Sequence, residues 1–237
     1  MLGRNQLRFF LGALAGLLWY GPAIRAQAIS PVVVEYKEKA RGQILVSNDT
    51  LYPLNVALEP FSFTVDSNGK PTYGPLDPGI RVRLSTSGFR IGPKQIYRVD
   101  YEATADVLPA WFTIYATIMK ANSQTDFRVA FRLPHTVYLL PREPLKAEAL
   151  RFIKANVDKE GTTRVEVENR SEDFARVQEV ELVCASGKKT YPGFPFFPHQ
   201  RRILQLEVEH GSSPQRIVLK FARFKVERPV RRDGASP

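Results

Sequence analysis

Cysteine is almost absent from this sequence, since Cys184 is the only one among 237 residues. A single thiol cannot form an intramolecular disulfide, so stability must come from packing of the core. Cys184 lies in the apolar run EVELVC, where a cysteine behaves as a small buried hydrophobic residue. Neither His199 nor His210 stands in a recognisable motif with it, so no catalytic thiol is indicated.

Histidine is also scarce, and the chain contains only His135, His199 and His210. These residues have no metal-ligand spacing with one another, with the acids or with the cysteine. The sequence also lacks a Gly-x-Ser-x-Gly elbow, a phosphate-binding loop and a dinucleotide fingerprint. The sequence therefore predicts no catalytic residue, no metal ligand and no cofactor, which disfavours an enzyme.

Long apolar runs are missing after the N-terminus, so no later segment is predicted to span a membrane. Residues 1–28 combine two early arginines, Arg4 and Arg8, with an apolar stretch at 9–20 and the small-x-small sequence Ala26-Gln27-Ala28. This arrangement is typical of a secretory signal peptide, and it predicts cleavage after Ala28. An uncleaved anchor is the alternative, but the apolar stretch is shorter than the roughly 20 residues that a transmembrane helix needs.

Acids are outnumbered by bases, 24 to 34, which gives a formal net charge of +10. The predicted signal peptide holds three of the arginines and no acid, so its removal would lower the charge from +10 to +7. Apart from the tail ERPVRRDGASP, the bases are spread along the chain and form no cluster with exposed aromatics. Nucleic-acid binding is therefore not predicted, whereas an envelope polymer or an acidic partner is compatible with this charge.

Helical periodicity of useful length is missing, and apolar residues recur mostly at every second position. This period predicts short β-strands separated by turns rich in Gly, Pro, Asn and Asp. The first-half candidates are PVVVEY (31–36), QILVSN (43–48), LNVALEPFSFTV (54–65), IRVRLS (80–85), QIYRVDYEA (95–103), WFTIYATIM (111–119) and FRVAFRL (127–133). Seven short strands at this spacing predict an antiparallel sandwich.

The second half is again strand-like, in the runs RFIKANV, TTRVEVEN, VQEVELVC, RRILQLEVE and QRIVLKFARFKVE. A polar, irregular segment separates the two halves. We therefore predict a first immunoglobulin-like domain at 29–141, a linker at 142–147, a second immunoglobulin-like sandwich at 148–229 and a flexible basic tail at 230–237.

The two halves also share weak sequence motifs. In each, a strand ends in an asparagine, Asn48 or Asn169, and a polar turn then leads into a longer strand. In each, a Pro-x-Gln motif precedes an alternating strand, with the glutamine at Gln95 or Gln200. Because the motifs keep their order, they favour two tandem sandwiches over one large barrel.

The stretch DFRVAFRLPHTVYLLP, residues 126–141, ends the first predicted domain. Phe127, Val129, Phe131 and Leu133 alternate with Arg128, Ala130 and Arg132, so one face of the strand is apolar. A second apolar run follows Pro134. Two interpretations remain open from the pattern alone: the four apolar side chains belong to the core of the first domain, or they serve a binding partner.

In the order and spacing of its segments the chain resembles the periplasmic pilus-assembly chaperones, the PapD-like family. The segments that carry the resemblance are ISPVVVEY, GQILVSNDTLYPLNVALE, RIGPKQIYRVDYEA, LPAWFTIYATIM and FRVAFRLPHTVYLLP. The resemblance covers nearly all of the chain after residue 28. It implies two immunoglobulin-like sandwiches in a boomerang arrangement and a location in the periplasm.

The resemblance further implies donor-strand complementation, in which the chaperone lends a fimbrial subunit the last strand of its first domain. The donated positions would be Phe127, Val129, Phe131 and Leu133. Fimbrial or pilus-like subunits would be the partners, together with an outer-membrane usher. Self-association through the same strand is also expected.

The sequence departs from the family in the cleft between the domains, where the family holds the terminal carboxylate of the subunit with an arginine and a lysine. Val32 or Val33 falls at the arginine position, and Thr136 falls at the lysine position. Together with Tyr138, these residues are the predicted lining of the cleft. The departure keeps a second interpretation open, namely an envelope-associated structural or adhesion scaffold of tandem immunoglobulin-like domains without chaperone activity.

Overall fold

The structure, a computed structural model, describes residues 28–121, 130–143, 145–158, 162–207 and 213–232. Within these ranges the chain is all-β, apart from one short 3₁₀ helix at Ala147–Ala149. No helix in the described part of the chain has the length and apolar character needed to cross a membrane.

Ten strands build the first sandwich, which comprises two facing sheets. They are β1 (Ala28–Ser30), β2 (Val33–Lys37), β3 (Ala40–Ser47), β4 (Leu54–Val65), β5 (Pro71–Pro75), β6 (Ile80–Leu84), β7 (Gly88–Ile91), β8 (Ile96–Ala105), β9 (Ala110–Lys120) and β10 (Ala130–Leu140). One sheet has the order β1-β3-β8-β6. The other has the order β2-β10-β9-β4-β5, with β7 paired to β4. All of the pairs are antiparallel except β2 with β10, which is parallel.

The core of the first sandwich lies between these sheets and is built by strands with period-two burial. In β4, for example, Leu54, Val56 and Leu58 are buried while the side chains between them are half-buried or exposed. Phe112 and Ile114 of β9 lie in the same cluster and are fully buried. Burial of large side chains of this kind contributes about 1.5–3 kcal/mol each.

Eight strands build the second sandwich, again as two sheets. They are β11 (Leu150–Val157), β12 (Thr163–Asn169), β13 (Ala175–Cys184), β14 (Gly187–Phe196), β15 (Arg201–Leu206), β16 (Pro214–Lys220), β17 (Lys225–Pro229) and β18 (Arg231–Arg232). The sheet orders are β15-β12-β11-β18 and β14-β13-β16-β17. The predicted linker, residues 142–147, lies between β10 and β11. The prediction of two all-β sandwiches is thus confirmed.

The weak sequence repeat corresponds to the same buried turn in both sandwiches. The side-chain oxygen of Asn48 accepts from the backbone N–H of Thr50, 3.0 Å away, and from its hydroxyl. The side-chain oxygen of Asn169 accepts in the same way from Ser171, at 3.1 Å and 2.9 Å. Both asparagines are almost fully buried, so each is a structural residue that closes its turn.

The Pro-x-Gln motifs complete these turns. The backbone N–H of Asn48 donates to the carbonyl of Gln95, and that of Asn169 donates to the carbonyl of Gln200, both at 2.9 Å. The residue before each glutamine has a positive φ, 59° in the first sandwich and 52° in the second. The two halves therefore repeat a structural device as well as a sequence motif.

Residues 230–232 belong to the second sandwich, whereas a flexible tail was predicted for residues 230–237. Val230 packs against the core of the second sandwich, and Arg231 and Arg232 form β18, which pairs in parallel with the end of β11. The apolar side chain of Val230 and the free edge of β11 explain why the chain continues as a strand here. Residues 233–237 lie outside the described ranges.

The turn between β4 and β5 touches the second sandwich. The carbonyl of Ser67 accepts from the backbone N–H of Ile203 in β15, 2.8 Å away. The side-chain amide of Gln200 donates to the carbonyls of Val65 and Asp66, at 3.4 Å and 3.1 Å. We call this contact of residues 65–70 with residues 200–203 the strut.

Candidate functional site

Strand β10 is paired differently in its two halves. Along one side it pairs with β9 from Ala130 to Leu139. Along the other side it pairs with β2, but only from Thr136 to Leu140. Among the residues that the structure describes, no strand pairs with this second side of residues 130–135, which we call the open edge.

Pro134 lies in the open edge without interrupting the pairing to β9. The backbone N–H of Thr136 donates to the carbonyl of Val32, 2.7 Å away, and so points away from β9. Backbone groups alternate in direction along a strand, so the nitrogen of Pro134 and the N–H of Arg132 point the same way. Because the proline nitrogen faces an unpaired side, its missing hydrogen removes no bond from the ladder.

The apolar face of β10 becomes progressively buried along the strand. Phe131 is 52% exposed, whereas Leu133 is half-buried and packs against the core of the first sandwich. Val137 and Leu139, on the same face, are fully buried. The other two predicted donor residues, Phe127 and Val129, lie outside the described residues.

His135 lies on this buried face in a polar network. Its Nδ1 is 2.5 Å from the carbonyl oxygen of Pro31, so Nδ1–H must donate there. Its Nε2 is 2.9 Å from the hydroxyl of Tyr101, which in turn lies 3.2 Å from the hydroxyl of Tyr36. A side chain at Gly42 would collide with both hydroxyls, so this position needs glycine for close approach.

Burial governs the protonation of this network. It lowers the pKa of His135, although the hydrogen bond to Pro31 acts in the opposite direction. Burial, together with the neighbouring hydroxyl of Tyr36, raises the pKa of Tyr101. His135 and Tyr101 are therefore neutral near pH 7. The network ties β10 to the segment that leads into β2 and to the facing sheet.

The opposite face of the open edge carries Arg132. Its guanidinium carbon lies 5.0 Å from the ring centre of Phe61 in β4 and 4.4 Å from that of Tyr115 in β9. The two rings meet edge to face at 6.0 Å, and Tyr73 of β5 meets Tyr115 at 5.2 Å. An exposed arginine thus lies over an aromatic surface beside the open edge.

The predicted cleft residues differ in how far they are buried. Val32 and Val33 are 51% and 47% exposed. Val33 is the register partner of Thr136, whose hydroxyl oxygen lies 3.0 Å from that of Thr113. Tyr138, by contrast, is buried against the second sandwich, with its ring 4.9 Å from that of Phe174.

Two charged residues at the junction of the sandwiches were not found from the sequence. Arg176 of β13 forms an ion pair with Glu35 of β2 and lies 5.0 Å from the ring centre of Tyr138. Both charged residues also line a cavity of about 630 Å³ between β2, the linker and the second sandwich. Neither residue stands in a sequence motif, and the pair is separated by 140 intervening positions, so no local signal could have indicated it.

The candidate site is suited to contact with a macromolecule. In the described ranges no group of three His, Cys, Asp or Glu side chains is placed to hold a metal ion. Cys184 is buried, and burial raises the pKa of its thiol. What the site offers instead is an unpaired backbone edge with an exposed phenylalanine on one face and an exposed arginine on the other.

The chain is similar to solved structures of fimbrial chaperones. The class 5 fimbriae chaperone CfaA matches with a TM-score of 0.57 and 10% identity, over 86% of this chain and 99% of its own. The chaperone YadV matches with a TM-score of 0.56 and 15% identity, over 86% of this chain and 100% of its own. A chain from a chaperone–tip adhesin complex of CFA/I fimbriae biogenesis matches with a TM-score of 0.52 and 10% identity, over 87% and 99%.

No protein-family model and no curated protein sequence matches the chain. At identities of 10–15% a structural match of this extent establishes architecture. Two tandem immunoglobulin-like sandwiches, matched along nearly the whole of the solved chains, give this protein the fold of the fimbrial chaperones.

Proposed function

We propose that the protein is a periplasmic chaperone that binds fimbrial or pilus-type subunits and caps them by donor-strand complementation. The observation that carries the proposal is the open edge of β10, where an unpaired backbone adjoins the half-exposed side chain of Phe131. The fold shared with fimbrial chaperones, one of them from a complex with a tip adhesin, supports it further.

The physical basis is addition of a strand to a sheet edge. A subunit strand placed along residues 130–135 gains backbone hydrogen bonds, each worth about 0.5–1.5 kcal/mol net. Burial of the exposed part of Phe131 adds up to about 1.5–3 kcal/mol. Pairing would also cover an edge that otherwise promotes aggregation. Phe127, Val129, Phe131 and Leu133 are the proposed donor side chains.

The proposed activity is binding rather than catalysis. Residues 1–28 are proposed to direct export, and an outer-membrane usher is the proposed acceptor of the loaded complex. The open edge also suits a second copy of the chain, so self-association in the absence of a subunit belongs to the same proposal.

A scaffold function is the second candidate, and a specific observation favours it. In the sequence resemblance, Val32 or Val33 falls at the position of the family's arginine and Thr136 at that of its lysine, and both valines are about half exposed. An envelope protein that uses two rigid sandwiches for structure or adhesion would need neither base. Such a protein would also have no use for an open edge, which is why we place the chaperone first.

The test is a substitution that blocks strand addition without disturbing the core. Phe131→Asp places a charge beside the open edge, at a position that is already half exposed. Co-expression with a fimbrial subunit, followed by co-purification, should recover at least about tenfold less complex than with the wild type. The melting temperature should change little, since surface substitutions usually stay within about 0.5 kcal/mol.

Ile96→Asp is the matched control. Ile96 is 69% exposed in the same sandwich but lies in β8 of the other sheet. It should leave the recovery of complex unchanged. Equal recovery with wild type and Phe131→Asp would contradict the proposal and favour the scaffold function.

A further inference from the structure

Arg132 is positioned to read the charge of a strand that adds to the open edge. Its backbone N–H points toward that edge. N–H groups alternate in direction along a strand, and the N–H of Thr136, four residues later, donates to Val32 on the same side. The side chain of Arg132 projects on the face opposite to Phe131, since neighbouring residues of a strand point to opposite faces. An added strand would therefore place one of its side chains directly opposite Arg132 on the same face.

The aromatic surface under Arg132 holds the guanidinium in place. The guanidinium carbon lies 5.0 Å and 4.4 Å from the ring centres of Phe61 and Tyr115, within the range of cation–π attraction. Burial and the hydroxyl of Tyr73 raise the pKa of Tyr115 to about 12, so the ring supplies a neutral surface. A side chain fixed in this way loses less conformational entropy when it binds a partner.

The charge of Arg132 is not neutralised within the described part of the chain. No ion pair of Arg132 with an acid occurs among those residues. Glu59 of β4 lies on the same face, as the register partner of Tyr115, but it forms no ion pair with Arg132 in the described ranges. A guanidinium that contacts aromatic rings still has N–H groups able to donate to a carboxylate.

We propose that Arg132 is a specificity residue that selects an acidic side chain in the partner strand. Building on the proposed function, the partner segment is an extended stretch of a fimbrial subunit with a two-residue pattern. Its side chains beside Phe131 and Leu133 are apolar, and its side chain beside Arg132 is Asp or Glu. Like charge at that position is disfavoured, so basic segments are rejected at the same edge.

Two synthetic peptides test this specificity. Both are capped nine-residue peptides that alternate valine with a charged residue, which is glutamate in one and lysine in the other. Fluorescence anisotropy with the purified full chain should give a dissociation constant about five- to tenfold lower for the glutamate peptide. The difference should shrink as salt is raised from 50 to 500 mM, because the pair is exposed to solvent.

Variants of Arg132 test whether its charge causes the preference between the peptides, independently of strand addition. Arg132→Gln should abolish the preference between the peptides, and Arg132→Glu should reverse it. Arg98→Glu is the matched control, since Arg98 is exposed on β8 of the other sheet and the variant changes the net charge equally. It should preserve the preference for glutamate.

The outcomes distinguish this inference from the function on which it rests. Equal affinity for the two peptides, with both lost in Phe131→Asp, would overturn charge selection but leave strand addition intact. Failure of the wild type to bind either peptide would overturn both. Preference for glutamate that persists in Arg132→Glu would assign the selection to another residue and contradict the inference.

Discussion

At the scale of single residues, the burial of His135 is the property that its neighbours in the sequence suggest least. It stands between two segments of an edge strand, yet it is fully buried and bonded through both ring nitrogens. The bond from Nδ1–H to Pro31 holds the start of β2 against β10. His135 therefore helps to set the point at which β2 begins to cover the edge.

The stability of the protein should depend on the protonation of His135. Burial lowers its pKa in the folded state below the ordinary value of 6.5, so the unfolded chain binds the proton more readily. Below about pH 6.5 the free energy of unfolding should then fall as the pH falls, by up to about 1.4 kcal/mol per pH unit, until the folded pKa is reached.

Urea unfolding of wild type and His135→Gln between pH 7.5 and 5.0 measures this effect. The variant should be less stable at pH 7.5, but its stability should decline less steeply in the acid range. His199 and His210 are present in both proteins, so the difference between the two slopes isolates His135. Parallel slopes would show that His135 carries no linked proton.

At the scale of elements, β10 combines a core strand with an exposed one. Its second half is covered by β2 and by the facing sheet, and its first half has one partner among the described strands. The alternation of apolar residues was visible in the sequence, and so was Pro134. What the sequence could not contain is the position at which β2 begins, because that depends on pairing between segments about 100 residues apart.

The strands that sequence analysis found and those that it missed differ in a physical way. The run at 54–65 was predicted from its alternation and forms β4 with the same bounds. β5, β7 and β14 were not predicted as strands because each contains Gly or Pro, and β5 and β7 are also short. β5 and β7 pair only with β4 and β14 pairs only with β13, at sheet margins where proline and glycine are tolerated.

The aromatic contacts of Arg132 and the ion pair of Arg176 were missed for a related reason. Arg132 lies over rings that come from β4 and β9, and Arg176 joins two different sandwiches. Side chains that meet only through tertiary structure leave no spacing signal in the sequence. The alternating face of β10, by contrast, is a local property that the sequence already displays.

At the scale of the whole molecule, two contacts join the sandwiches besides the ion pair of Arg176 with Glu35. One is an aromatic cluster in which Phe197 of the second sandwich meets Trp111 and Phe63 of the first, at 4.6 Å and 6.1 Å between ring centres. The other is the strut, in which Gly69 lies against Arg202. Residues 65–70 of the strut are half-buried or exposed, so the strut should control the relative position of the sandwiches more than their stability.

Gly69→Ala should therefore loosen the junction. Gly69 has a φ of 88°, and an added Cβ would collide with the guanidinium of Arg202. We expect a loss of about 1–2 kcal/mol from backbone strain and a broader distribution of inter-sandwich distances in small-angle X-ray scattering. Gly74→Ala in the same hairpin is the control, because its Cβ would meet nothing within 4 Å. An unchanged scattering curve for Gly69→Ala would show that the strut does not fix the junction.

The central claim is that the open edge of β10 pairs with a strand of a fimbrial subunit, and amide hydrogen exchange tests it most directly. The N–H of Arg132 points to the open edge, whereas those of Phe131 and Leu133 point to β9. In NMR spectra of the free protein, the Arg132 amide should exchange rapidly while the Phe131 and Leu133 amides exchange slowly. In a complex with a co-purified subunit, the Arg132 amide should become protected by at least about tenfold, with little change at its two neighbours. An Arg132 amide that exchanges equally fast in the free and bound protein would contradict donor-strand pairing at this edge.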